Sequence, residues 1–259
     1  MRILFFIESI HAGGKERRAV ELLDFLAKET VYEIQLVLTE EEIHYKHLLN
    51  LDIPIIILKR KFGKKDISIF HRFFDIVKEF KPDVIHTWGA MSTIYAIPSS
   101  KYLKIPIING QISNATPKDK RSFFNNFLLK VNRYFSSKLF ANSVAGLKAY
   151  GVSSKKGVVI YNGIRLERFQ GLDIKIRDRI HIKTPLIVAM VASFGKNKDY
   201  ELYLNVAKRI CSKRDDVTFV AVGDGESKVE LQRKVKDLEM DRFLFTGRIE
   251  NVEELVNIC

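Results

Sequence analysis

The sequence predicts an α/β chain of two doubly wound units, the second the smaller, and three observations carry that reading. Short apolar runs alternate with helical stretches from the first residues onward, as right-handed βαβ crossovers in a parallel sheet require. The alternation lapses after Asn162-Gly163 into a polar, charged and weakly periodic stretch. It then restarts at Pro185. The expected organisation is a first unit over 1–165, a hinge over 166–184 and a second unit over 185–259.

Arg2 to Ile7 fits a strand buried on both faces. The loop ESIHAGGKE leads into a helix from about Lys15 to Lys28, with Ala19, Leu22, Leu23, Phe25 and Leu26 on its apolar side. Strands follow at Ile34 to Leu38 and Ile53 to Leu58, then a helix at Ile67 to Phe80. Val84 to His86, Ile105 to Ile108, Leu139 to Asn142 and Gly157 to Tyr161 read as further strands, with a short helix around Ala145 to Tyr150. Asn162-Gly163 is a strong turn dipeptide, since both residues tolerate positive φ. In the second unit, strands at Pro185 to Ala192, Val217 to Val222 and Phe243 to Thr246 alternate with helices near 199–213, 226–239 and 251–258. Three βα units make a thin sheet with an exposed edge, and the expectation is a chain that stops short of a full second unit.

Bulk properties narrow the class. A chain of 259 residues with 46% hydrophobic and 29% charged residues is neither disordered nor fibrous. No run reaches the ~18 apolar residues that span a bilayer, and MRILFFIES reads as a first strand rather than a leader. Two cysteines, Cys211 and Cys259, suggest neither a disulfide framework nor a metal site, and a reducing cytoplasm is the expected setting. A net charge of +12 favours anionic partners, yet no nucleic-acid-binding motif accompanies it. Basic groups are spread through 59-KRKFGKK-65, 117-PKDKR-121 and 175-KIRDR-179. A solvated basic surface and a specific anion site both fit that distribution.

The segment FANSVAGLKAYG followed by VIYNGIRLERF resembles the interdomain region of the retaining glycosyltransferases of family four, which have the GT-B fold. The resemblance extends over nearly the whole chain. It implies two Rossmann-like domains facing a cleft, with acceptor-side groups in the first and the nucleotide-sugar site in the second.

Gly13-Gly14 lies between the first strand and first helix, where paired glycines and a helix N-terminus suit a phosphate. A tight turn without ligand is the alternative. Family-four enzymes carry a similar GG-x-E-R loop, here Gly13-Gly14-Lys15-Glu16-Arg17, implying that the glycines face the donor phosphates and Glu16 the acceptor. In the second unit Lys198 stands at a helix mouth and matches the lysine that clamps the nucleotide diphosphate in the family. Ser193 stands where an arginine is usual. Gly223-Asp224-Gly225 resembles the family's glycine turn beside the donor, and Arg248 and Ile249 the region that meets the base.

The acceptor side departs further from the family. Where many members have a histidine or arginine, this sequence has Ile112, Ser113 and Asn114. His86 matches the family's strand-end histidine, and a satisfied core group is the favoured reading, with a catalytic role as the alternative. No general base is assigned. The paired glutamates that hold donor sugar and ribose should lie beyond the last residue, so little transfer is expected of the chain as it stands.

From Ser122 to Tyr134, Phe123, Phe124, Phe127, Leu128, Val131 and Tyr134 share one helical face flanked by Lys118, Lys120, Arg121, Lys130 and Arg133. A core-facing helix is the favoured reading, with peripheral contact to an anionic membrane as the alternative.

The implied reaction is retaining transfer of a sugar, expected from a UDP-sugar, to a cell-surface polysaccharide or lipid-linked glycan. It needs no cofactor and no metal, because Lys198, helix N-termini and the glycine loop would hold the departing diphosphate. Two alternatives stay open: a nucleotide-sugar epimerase of the same fold, and a nucleotide-binding chain without turnover.

Overall fold

Side-chain alternation along the first strand sets the layering of the first unit. In β1 (Arg2–Phe6) and the residue after it, Ile3, Phe5 and Ile7 point into one apolar cluster and Leu4 and Phe6 into another, all buried. A strand with two buried faces needs helices on both sides. The computed structural model supplies them; it describes all residues except 12, 30, 62–65, 113–121, 173–174, 196–197 and 250.

In the first unit, Met1–Gly163, seven parallel strands lie in the order β3-β2-β1-β4-β5-β6-β7. The later strands are β2 (Glu33–Leu38), β3 (Ile55–Ile57), β4 (Val84–Thr87), β5 (Ile107–Ile112), β6 (Lys138–Ala141) and β7 (Gly157–Val159). Helix α1 (Gly14–Ala27) buries Ala19, Val20 and Leu23 against one face. On the other, α2 (Ser68–Phe80) inserts Ile69, Phe73, Val77 and Phe80 beside α3 (Ala90–Leu103). Winding reverses between β1 and β4, so the loops after those strands diverge and leave a crevice at their carboxyl ends.

Helix α3 is absent from the sequence expectations. Its stretch AMSTIYAIPSSKYL contains Pro98 and shows no one-sided apolar stripe. It is buried instead through small residues, Ser92, Thr93, Ala96, Ser99 and Ser100, which let neighbouring helices approach. The expected turn at Asn162-Gly163 does not form: neither residue has positive φ, and 160–165 carries no regular structure.

Helix α4 (Phe123–Phe135) begins at Ser122, whose hydroxyl accepts from the Asn125 amide at 3.2 Å. The favoured core-facing reading fails for its aromatic residues. Leu128 and Asn132 are buried, but Phe123, Phe124, Phe127 and Tyr134 are exposed, at 90%, 50%, 54% and 74%. A short helix, α5 (Val144–Ala149), follows β6.

The second unit, Ile164–Cys259, holds three parallel strands in the order β10-β9-β8: β8 (Leu186–Val191), β9 (Val217–Val222) and β10 (Phe243–Gly247). Helices α7 (Tyr200–Cys211) and α8 (Lys228–Asp237) cover one face. The stretch 166–184, expected as a hinge, packs within this unit. Of its two short helical turns, the second, α6 (Ile176–Arg179), and Ile182 bury against Ile187, Val220, Val222 and Leu255 of the second face, beside α9 (Val252–Val256). Two buried carboxylates of α9 fasten the stretch: Glu253 pairs with Arg168, and Glu254 with Arg179 at 2.5 Å. Two separate four-residue turns among charges, at Leu166–Phe169 and Ile176–Arg179, leave too little periodicity to be read in advance.

Candidate functional site

Each unit gathers its chemistry at the carboxyl ends of its strands. In the second unit three loops are laced together by their backbones. The Ala192 amide donates to Val222 O (3.0 Å), the Phe194 amide to Asp224 O (3.1 Å) and the Gly223 amide to Gly247 O (2.9 Å). That spacing demands glycine. A Cβ on Gly223 would lie 2.0 Å from the Ala192 carbonyl oxygen, and one on Gly225 2.7 Å from that of Phe194; both have positive φ, 147° and 158°. So Gly223-Asp224-Gly225 is bound to its site by close approach as well as by conformation.

Lys198 lies directly before α7, whose N-cap Asp199 accepts from the Leu202 amide at 3.0 Å. The lysine is exposed and has no ion-pair partner among the described residues. An uncommitted ammonium at the positive end of a three-turn helix attracts an anion. A pocket of about 380 Å³ opens beside it, but Asp199, Glu201 and Glu230 line that space and would repel a diphosphate. Arg248 is exposed, whereas Ile249 packs into the core beside Leu255, leaving only its backbone for a base.

In the first unit Gly13 caps α1 in an extended conformation that any residue can adopt. A Cβ on Gly13 would meet Glu16 Oε2 at 2.3 Å, the movable end of a flexible side chain, so Glu16 rather than the backbone would give way. The Glu16 carboxylate thus folds over the mouth of its own helix, paired with Lys15 at 3.1 Å. An incoming phosphate at Gly13-Gly14 would have to displace it. Gly14 is open: a Cβ there would meet nothing within 4 Å.

His86 is buried, with ring centroids of Phe5 and Trp88 at 4.9 and 5.1 Å. Desolvation pushes its pKa down to about 3, so the ring is neutral. Asn114 lies outside the described residues.

Two groups beside His86 in the crevice, Arg18 and Trp88, were not singled out from sequence. Arg18 stacks over the Trp88 ring at 5.6 Å, and burial lowers its pKa against the raising effect of Glu16. Arg18 Nη2, His86 Nε2 and Trp88 Nε1 are buried nitrogens without hydrogen-bond partners among the described residues. A Cβ on Gly110 would meet His86 Nε2 at 3.3 Å and Trp88 at 3.2 Å, so this glycine leaves the rings their room. Beside them Glu8 accepts from Arg60 at 3.1 Å. Thr87, Thr93 and Asn109 form a buried chain, 2.7 and 3.0 Å, that fixes the start of α3. Orphaned nitrogens in a crevice suit an oxygen-rich ligand. For Trp88 the advance signal was its position directly after the strand end VIHT; Arg18, inside α1, gave none.

The model of a family described as Glycosyltransferase Family 4 matches residues 12–168, and one described as Glycosyl transferases group 1 matches residues 173–259. A Campylobacter jejuni protein is 27% identical across 98% of this chain and 70% of its own length. It is named GalNAc-alpha-(1->4)-GalNAc-alpha-(1->3)-diNAcBac-PP-undecaprenol alpha-1,4-N-acetyl-D-galactosaminyltransferase. Among solved structures, Anabaena Alr3699/HepE in complex with UDP and glucose superposes with a TM-score of 0.84 at 19% identity, covering 100% of this chain and 72% of that one. Sucrose-phosphate synthase from Thermosynechococcus elongatus does so at 0.74 and 15%, with coverage of 100% and 72%. These structural likenesses are of fold, and the fold is GT-B.

Proposed function

Because the chain belongs to glycosyltransferase family 4 and takes a nucleotide-sugar donor, we propose that it transfers the sugar of a UDP-sugar, with retention, to a lipid-linked glycan. The observation that carries the donor side is Lys198: an uncommitted cation at the mouth of α7, beside a glycine turn that holds three loops in register. As the bond from the anomeric carbon to the diphosphate breaks, negative charge grows on the leaving phosphate. Lys198 and the first amides of α7 meet that charge without a metal. The acceptor hydroxyl attacks the anomeric carbon from the same face and passes its proton to the departing phosphate oxygen. No side chain is needed as base.

The acceptor class rests on two supports. The Campylobacter relative is named for a lipid-linked substrate. The exposed aromatic face of α4, with Lys130 and Arg133 on the same helix, suits docking at the cytoplasmic surface of an anionic membrane. No helix among the described residues is long and apolar enough to cross one.

Calorimetric titration with UDP, GDP and ADP, beside a Lys198→Ala variant, tests the reading. UDP should bind in preference, and the variant should bind it about ten-fold or more weakly, the worth of a charge-assisted hydrogen bond. Absence of nucleotide binding, or equal affinity in the variant, would overturn it.

A further inference from the structure

Two histidines far apart in sequence are brought side by side in the first unit by a short backbone pairing. Ile10, just past β1, bridges in parallel to Ile43, and the His44 amide donates to the Ile10 carbonyl at 3.0 Å. The residues that follow, His11 and His44, therefore stack, with ring centroids 4.9 Å apart. Glu42 reaches both, its Oε1 2.8 Å from His44 Nε2 and its Oε2 3.6 Å from His11 Nε2. Glu40 adds an oxygen 3.4 Å from His11 Nε2 and is itself steadied by Arg60 at 3.6 Å.

We propose that His11, Glu42 and His44 form a binding site for a divalent cation of the zinc class, with Glu40 or water in the fourth position. One ligand atom from each of the three lies within 4.8 Å of the others. A tetrahedral ion with bonds of about 2.0–2.1 Å wants its ligand atoms about 3.3 Å apart, so side-chain adjustments of about 1.5 Å or less would close the cluster on an ion. Two imidazoles and a carboxylate favour zinc over magnesium or calcium, which prefer all-oxygen shells. The Arg60 contact to Glu40 is the outer support that metal ligands commonly have. His11 and Glu42 are 40% and 69% exposed at the side chain, so the ion loads from solvent without opening the fold.

The site has a structural consequence. Tyr45 Oη donates to the Gly13 carbonyl at 3.0 Å, so segment 42–45 already holds the glycine loop at one point. An ion at His11 would tie the same two stretches at a second point and hold the start of α1 more firmly.

The chain, freed of metal with a chelator and dialysed, should be titrated calorimetrically with Zn²⁺, and in parallel with Mg²⁺. One equivalent of Zn²⁺ should bind saturably, about ten-fold or more weakly in His11→Gln and in His44→Gln, and not at all in the double variant. His71→Gln, an exposed histidine on α2, should bind as the parent does. Thermal melts without metal establish that the variants fold, since none of the three side chains belongs to an apolar core. No saturable equivalent, binding that survives in the double variant, or equal affinity for Mg²⁺ would each overturn the proposal. Nucleotide binding does not enter the measurement, so its outcome stands apart from that of the donor titration.

Discussion

His86 shows how burial rather than catalysis sets the character of one residue. Enclosed by Phe5 and Trp88, its ring is held neutral down to about pH 3. In the unfolded chain a histidine titrates near about 6.5. Below that value the unfolded state takes up a proton that the folded state refuses, so stability falls as pH falls. The contribution is complete above about pH 6.5 and is lost at about 1.4 kcal/mol per unit toward pH 3. Between pH 7 and pH 5 the chain should lose about 2 kcal/mol from this residue alone, measured by urea unfolding. A His86→Leu variant should lose less over that interval, by the same amount; an unchanged difference would show that the ring is not kept neutral. The residue-scale readings made from sequence divide by mechanism. Gly223 and Gly225 could be named from a strand–Gly–x–Gly pattern, because backbone conformation is local. Arg18 and Trp88 could not, since their missing partners arise only where two strand ends meet.

At the scale of elements, α4 marks where periodicity misleads. Its aromatic residues and Leu128 share one stripe in sequence, yet the sheet accepts only Leu128 and Asn132, leaving Phe123 and Phe127 to solvent. An apolar face says that something must cover it, not what. If that cover is lipid, Phe123→Ser with Phe127→Ser should reduce sedimentation with anionic vesicles about ten-fold or more, given the transfer energy of two phenylalanines. The thermal midpoint should stay where it is, because neither side chain is in the core. Vesicle binding equal to that of the parent would remove the membrane from the acceptor-side reading. Helix α3 is the opposite case: buried by small residues on several sides, it gives no stripe to detect. Stretch 166–184 was hidden for a third reason, as its hold on the second unit comes from Arg168 and Arg179 meeting carboxylates about 80 positions away.

For the whole molecule, two units with separate cores imply separable unfolding. The single tryptophan, Trp88, lies in the seven-stranded unit and reports on it alone. The three-stranded unit is smaller and has two sheet edges close to its centre, and β8 leaves Leu186, Val188 and Val191 45%, 39% and 50% exposed. It should therefore unfold first. In urea, far-ultraviolet circular dichroism should begin to fall before Trp88 fluorescence shifts; coincident curves would show instead that the units melt as one.

What the sequence determined by itself is the part that depends on neighbours along the chain. The order of the strands, the restart at Pro185, the Gly223-Asp224-Gly225 turn and the placement of Lys198 before a helix all follow from local sterics and from apolar spacing. Tertiary structure decided which surfaces meet: the crevice of Arg18, His86 and Trp88, the covering of the second sheet by 176–182, and the pairing of His11 with His44 through the Ile10 and Ile43 bridge. Those contacts join residues dozens of positions apart, and only the winding of the sheet brings them within reach of one another.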